Sequence, residues 1–323
     1  MVGQWRPFPG SHDGSLGYIT SHVAVLGEQR GTGDMIFDKP EFRPGGDRNI
    51  LVYLGDEMSF DLNFLVHSYA AAIREARLDG VVELIPELAS LLVSYDPERI
   101  AYNDLIRELV AIRAGIGAIA GIELPSRLFY VPVLYFDPWT QACVDDYRAR
   151  IAEKEPDADF LVSLNGLADR RQLVRVHSGT EYWVAALGFW PGLGSFLPLD
   201  PRCRLTAPKY DPPRTWTPKG TVGIGGAITC IYPDRTPGGY QIFAISPMPI
   251  WDPSQRLAAF RDSLALFKPG DRVRFIPIDR EEHDYISGKV DDGTYKHPDV
   301  GFQCFSIDAY HGWVDTLDPT ERF

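Results

Sequence analysis

Cysteine is scarce in this sequence. Four residues in 323, Cys143, Cys203, Cys230 and Cys304, share no Cys-x-x-Cys spacing. That argues against a disulfide framework and makes a reducing cytoplasm the expected compartment. Long apolar runs are missing too. The stretch "LVAIRAGIGAIAGIEL" is interrupted by Arg113 and Glu123, too mixed to span a bilayer. No signal-peptide pattern is found, so no membrane association is expected. Bases are outnumbered, 32 Lys and Arg against 44 Asp and Glu, for a net charge of -12. An acidic chain of this kind is a poor partner for a phosphate backbone or an anionic membrane surface.

Several catalytic signatures are also lacking. No Gly-Lys-Ser/Thr follows the glycine-rich runs, so there is no Walker A loop, and no helix opens there to make a Rossmann fingerprint. Gly-x-Ser-x-Gly and His-Glu-x-x-His do not occur. His297, Cys304 and His311 fit no standard zinc spacing and lack a fourth ligand, so no metal is expected.

What is present is an ordinary folding composition, 45% hydrophobic and 24% charged. The length suggests two domains at roughly 100–200 residues each. Residues 1–41 are rich in Gly, Pro and polar side chains and read as an extended N-terminal arm. From 42 to 136 the pattern is strand, helix, strand, strand, helix, strand. "NILVYLG", "VVELIP", "SLLVSY" and "RLFYVPVLYF" supply the strands. The first helix, "SFDLNFLVHSYAAAIREAR", has Ser59 as N-cap and Asp61 in its first turn. This order is the split βαβ arrangement of ferredoxin-like domains. A helical connector spans 137–180, with "EPDAD" read as a loop between two helices. From 181 to 278 short β-type runs alternate with Pro/Gly turns, the signature of a closed or sandwich-like β domain. Residues 279–323 form a polar, aromatic-bearing extension expected to pack on a neighbour or back on the barrel.

Two glycine-rich runs stand out, "GTVGIGGAITC" at 220–230 and "TPGGY" at 236–240. Gly-Gly lets ligands approach backbone N–H groups, and consecutive N–H groups can hold an anion. Tight barrel turns would use the same residues. "LGFWPGLGSF" can wall a pocket with aromatics or simply end a strand. His177, at a helix end, is either a cap or an acid–base group. Arg214 and Lys219 sit in the proline-framed loop "DPPRTWTPKG", where a rigid Arg suits carboxylate or phosphate.

Taken in order, "GDRNILVYLGDEMSFDLNFLVHSYAAAI", "HSGTEYWVAALGFWPGLGSF", "PPRTWTPKGTVGIGGAITCIYPDRTPGGY" and "FKPGDRVRFIPI" carry a specific resemblance over about 42–278. The chain resembles the carboxyltransferase subdomain C and D family. That family includes allophanate hydrolase subunit 1, the B component of 5-oxoprolinase, a sporulation-kinase inhibitor and part of the urea carboxylase carboxyltransferase domain. The resemblance implies a ferredoxin-like α+β domain followed by a cyclophilin-like β-barrel. It implies a heteromer with a second-subunit homologue, and with a further hydrolase or biotin carboxylase subunit. The implied activity is ATP-dependent amide or lactam hydrolysis, or biotin-dependent carboxyl transfer. ATP or biotin would belong to the complex, with no cofactor bound by this chain alone. Inhibition of a histidine kinase by docking is the alternative.

With the resemblance, His177 becomes the candidate for proton transfer and Arg214 the candidate anion grip. The implied substrate-binding set is Phe189, Pro191, Gly192, Gly225, Gly226, Ile228, Thr229, Tyr232, Pro237, Gly238, Gly239 and Tyr240. Backbone N–H groups of 223–227 and 237–239 are expected to stabilise a developing oxyanion. The sequence departs from the family where Ile228-Thr229-Cys230 replaces Gln-Thr-Gly, Tyr240 replaces Trp, and Leu193 replaces Phe or Tyr. These changes imply a more apolar pocket and a distinct substrate.

Overall fold

A computed structural model describes residues 36–323. The reading of 1–35 as an arm lies outside these residues. β1 (Ile36–Pro44) crosses the boundary set at 41 and is a strand. It pairs antiparallel with β2 (Asn49–Gly55). α1 (Phe60–Ala76) follows, capped by Ser59, whose hydroxyl accepts the Leu62 N–H at 3.1 Å. β3 (Val81–Pro86), β4 (Ser90–Tyr95) and α2 (Tyr102–Ile116) complete the first layer. Its sheet runs β1-β2-β4-β3, antiparallel throughout. The core between this sheet and its helices holds Ile50, Val52, Leu62, Leu65, Tyr69, Ile73, Leu91 and Leu105. The α1 residues among them recur at helical spacing, which is why one stripe of that helix is buried.

β5 (Glu123–Tyr135) does not close this sheet, contrary to the expectation for the strand at 127–136. Its Leu128, Phe129, Val131 and Val133 are buried, and it runs parallel to a much later strand at Arg272–Pro277 rather than beside β2. β1 takes the outer place beside β2 instead.

The connector forms α3 (Pro138–Arg150), α4 (Asp157–Leu164) and α5 (Arg170–Ser178). α4 covers most of the acidic stretch read as a loop; its Asp157 side chain turns into the core, and acidic residues suit a helix N-terminus. Then come β6 (Glu181–Leu187), β7 (Gly194–Pro198), β8 (Arg214–Thr217), β9 (Thr221–Gly225), β10 (Ile228–Ile231), β11 (Thr236–Gly238), β12 (Gln241–Ile245) and β13 (Arg272–Pro277). α6 (Arg280–Asp291), β14 (Asp299–Ser306) and α7 (Ile307–Val314) end the chain's elements.

The large sheet has the order β12-β9-β10-β7-β6-β13-β5-β14, and a β12–β5 pairing closes the first seven strands on themselves. Alternation sends Val222, Ile224, Val184, Phe196, Val273 and Phe275 inward to one core. β8 and β11 form a separate two-stranded ribbon.

The two layers are joined by buried polar contacts. Asn63 of α1 donates to Glu87 O (3.0 Å) and Ala185 O (3.3 Å) and accepts from Trp183 Nε1 at 2.8 Å. His67 Nε2 donates to Ala185 O at 3.1 Å. Phe64 packs edge-on against Trp183, with Phe305, Ile307 and Tyr310 of the C-terminal extension in the same cluster. The extension therefore packs back on the fold, one of the two outcomes expected for it. Among the described residues no helix is long and apolar enough to cross a membrane.

Candidate functional site

The glycine runs lie at the β9–β10 turn and at the β11–β12 junction. Gly226 adopts a left-handed φ of 62° at the turn, and its N–H donates to Ala207 O at 2.7 Å. Gly225 is covered by the Tyr240 ring: a β-carbon there would lie 2.3 Å from Cδ1. Gly238 leaves room for the Tyr232 hydroxyl, 2.4 Å from where a β-carbon would stand. Tyr240 N–H lies 3.4 Å from that same hydroxyl, and Gly239 O accepts from Tyr210 N–H. These glycines admit the protein's own aromatic side chains. The space at Gly225 and Gly238 is thus filled and the Gly226 N–H is used by Ala207 O, whereas a β-carbon at Gly226 would meet nothing within 4 Å.

Arg214 is the pin beneath the turns. It is 1% exposed. Nη1 donates to Tyr240 O (2.6 Å), Nε to Thr217 Oγ1 (3.3 Å), and Nη2 reaches the Tyr232 hydroxyl (3.4 Å). The guanidinium lies 4.4 Å from the centre of the Tyr210 ring. Tyr210 donates to Asp157, which also pairs with Lys154 and accepts the Ile242 N–H at 2.6 Å. Lys154 donates in addition to Gln241 Oε1 at 2.7 Å. A buried positive charge is thus compensated through a tyrosine by a buried carboxylate. The expectation of Arg214 as a grip on substrate is corrected: a side chain without solvent access that is spent on the backbone of 240 ties strands together.

His177 is corrected for the same reason. It has no exposed surface, shares a 2.7 Å hydrogen bond with the Tyr135 hydroxyl, and stacks 4.5 Å from the Phe275 ring. Burial pushes its imidazole down to about 3, so the ring stays neutral and walled off from any substrate.

Of the remaining predicted residues, Tyr232 and Tyr240 share one cluster with Leu193, Cys230, Cys143 and Trp216. Three of the positions singled out in the sequence, 193, 230 and 240, therefore meet in one place. Burial pushes the Cys230 thiol up to about 12, which makes it a packing group. Thr229 points the other way, with its neighbours Ile231 and Ile224 in the interior core. Ile228 packs toward the interlayer cluster. Phe189, Trp190 and Pro191 project from the β6–β7 loop; Phe189 is 72% exposed with a left-handed φ of 68°. Gly192 behind them is buried against Trp251. Pro237 is exposed on the ribbon.

A cleft of about 260 Å³ opens elsewhere, between the Lys219–Gly220 turn, the Ser246–Ile250 loop and α6. Its walls include Tyr232, Arg256, His283, Ser287 and Asp291. Of these, sequence reasoning singled out only Lys219 and Tyr232. The signal for the rest was the proline framing of "SPMPI"; nothing local marks Arg256 or the inner face of α6.

The family profile for the carboxyltransferase domain, subdomain C and D, matches residues 40–260. The chain belongs to this family. Over 283 residues it is 32% identical to urea amidolyase of Saccharomyces cerevisiae, covering 86% of this chain but 15% of that protein. The chain thus spans a small part of that relative's length. It is 29% identical over 248 residues to the B component of 5-oxoprolinase from Bacillus subtilis, covering 74% of this chain and 92% of that protein. Among solved structures, the Kluyveromyces lactis urea carboxylase superposes with a TM-score of 0.75 at 29% identity, over 87% of this chain and 26% of that one.

Proposed function

We propose that this chain forms one half of a carboxyltransferase that places a carboxyl group on the nitrogen of urea or a related amide. The observation that carries this reading is the extent of likeness to urea carboxylase, 87% of the chain at a TM-score of 0.75. That span exceeds the stretch matched by the family profile, so part of the segments beyond 40–260 is included. The order β1-β2-β4-β3 supports reading the first layer as ferredoxin-like, with β1 in the place expected for β5. The ring closed by β12 and β5 supports a cyclophilin-like barrel.

At Gly225 and Gly238 the turns are filled by Tyr240 and Tyr232, which leaves no room for a cofactor at those two positions. A biotin carrying the carboxyl group would therefore belong to another subunit or domain, as would the ATP that charges it. This chain contributes a rigid rim, fixed by Arg214, and a projecting Phe189–Trp190 loop that meets the second-subunit partner. Leu193, Cys230 and Tyr240 set the apolar character of that rim.

The second reading is a subunit of an ATP-driven lactam-opening heteromer. It is favoured by the 92% coverage of the B component of 5-oxoprolinase from Bacillus subtilis. Purifying the tagged chain with its natural partners and assaying urea, acetamide and 5-oxoproline side by side separates the two. Turnover of urea or acetamide supports carboxyl transfer; turnover of 5-oxoproline alone supports the second reading.

A further inference from the structure

We infer that the cleft between the Lys219–Gly220 turn and α6 binds a small organic carboxylate with an apolar body. This site is separate from the glycine-turn rim and stands whether or not the chain works in a carboxyltransferase.

Charge comes first. Lys219 and Arg256 both line the cleft, and among the described residues neither side chain makes a hydrogen bond, while the Arg256 charge acts on the nearby Asp252 carboxylate. Asp291 is the carboxylate on the opposite wall. Asp252, beside Arg256, is turned to its own loop and accepts the N–H groups of Ser254 and Arg256, both at 2.9 Å. Within the lining two cations stand against one carboxylate, Asp291, and Asp252 answers part of the Arg256 charge from outside it, in a chain whose net charge is -12. A cationic pocket in such a chain draws a monoanion through its local field.

Donors and apolar surface complete the match. Ser246 Oγ accepts the Met248 N–H at 3.2 Å, which leaves its own proton for a ligand. Ser287 of α6 also lines the cleft. The floor is apolar, formed by Ile231, Ile245, Met248, Ile250 and Val290. A few convergent polar groups over an apolar floor are what orient a small ligand.

The walls are also rigid. Pro233, Pro247 and Pro249 line the cleft. Gly220 holds the turn with φ 81°: its N–H donates to Tyr232 O (2.7 Å) and its carbonyl accepts from Ser246 N–H (2.8 Å). A β-carbon at 220 would lie 2.3 Å from Ser246 O, so only glycine permits this closure. The backbone beside Lys219 is thereby fixed before any ligand arrives, which lowers the ordering cost of binding. α6 lies beyond the 40–260 stretch matched by the family, so one wall is made by this chain's own C-terminal segment.

The test is calorimetric titration of the full chain with hexanoate, with its neutral isostere hexanamide and with inorganic phosphate. Saturable binding of hexanoate is expected, with hexanamide and phosphate each weaker by about tenfold or more. Lys219→Met and Arg256→Gln should each weaken hexanoate by about tenfold with unchanged thermal unfolding, and Val290→Trp should abolish binding by filling the floor. Absence of saturable hexanoate binding overturns the inference. Equal binding of hexanamide, equal binding of phosphate, or unaltered affinity in both charge variants overturns it as well.

Discussion

The Tyr240 ring lies on Gly225 so closely that a β-carbon at 225 would stand 2.3 Å from ring Cδ1. A glycine motif that invites a ligand-binding interpretation is here a seat for the protein's own aromatic side chain. Gly225→Ala should therefore cost stability by overpacking, about 1–3 kcal/mol. The added Tyr240→Leu change should recover part of that loss, because the two sites are coupled through one contact. Thermal unfolding of the single and double variants checks this. Independent, additive losses would contradict the packing account.

Arg214 acts on the same segment from below, through its 2.6 Å hydrogen bond to Tyr240 O. Arg214→Met leaves the Tyr240 carbonyl without its buried donor and removes the cation beneath the Tyr210 ring. The expected cost is about 3–5 kcal/mol of stability. Turnover per folded molecule should fall far less than stability does. Intact unfolding behaviour with lost turnover would return Arg214 to the chemistry.

Acid should destabilise the fold through two histidines. Burial holds His177 down to about 3 and His67 to about 4, against an ordinary 6.5. Each stays neutral when folded and takes up a proton on unfolding once the pH is below its unfolded value. Their contribution is therefore complete above about pH 6.5 and drains away as pH falls toward 4 and 3, by about 1.4 kcal/mol per pH unit for each group. His177→Phe should flatten the decline between those limits. Denaturant midpoints of both proteins from pH 7 to 4 would reveal an unchanged slope if His177 were charged in the fold.

The Phe189–Trp190 loop offers a separate test. Phe189 holds a left-handed backbone while 72% exposed, a conformation that costs a side-chain residue about 1–2 kcal/mol. Phe189→Gly should raise the stability of the isolated chain slightly and weaken the proposed assembly with a second subunit. Analytical ultracentrifugation of the mixed subunits measures the second effect. Unimpaired assembly would remove the loop from the interface.

Much of the fold was legible because it rests on local pattern. The helical stripe Leu62, Leu65, Tyr69 and Ile73 and the Ser59 cap appear as the periodicity dictates. The strand at 127–136 was placed correctly but paired wrongly, since periodicity says which residues are buried and not which neighbour buries them. β1 escaped notice because its exposed residues and prolines mimic a linker. α4 was hidden by an acidic N-terminus that resembles a loop. At the site, the sequence brought Tyr232, Tyr240, Cys230 and Leu193 to attention, and they share one cluster. It could not reveal that Arg214 and His177 face inward, because burial of a polar side chain depends on partners distant in sequence, Tyr240 and Tyr135. The cleft beside α6 was invisible for a related reason: Arg256 and Ser287 meet Lys219 only after the chain has closed around it.

The most direct measurement follows isotope from labelled bicarbonate. The chain is purified with its partner subunits and given ATP, urea and ¹³C-bicarbonate, and the product is read by carbon NMR. Carboxyl transfer predicts label in an N-carboxylated urea, dependent on both urea and ATP. ATP consumption with 5-oxoproline opening and no label fixed in any amide would contradict it.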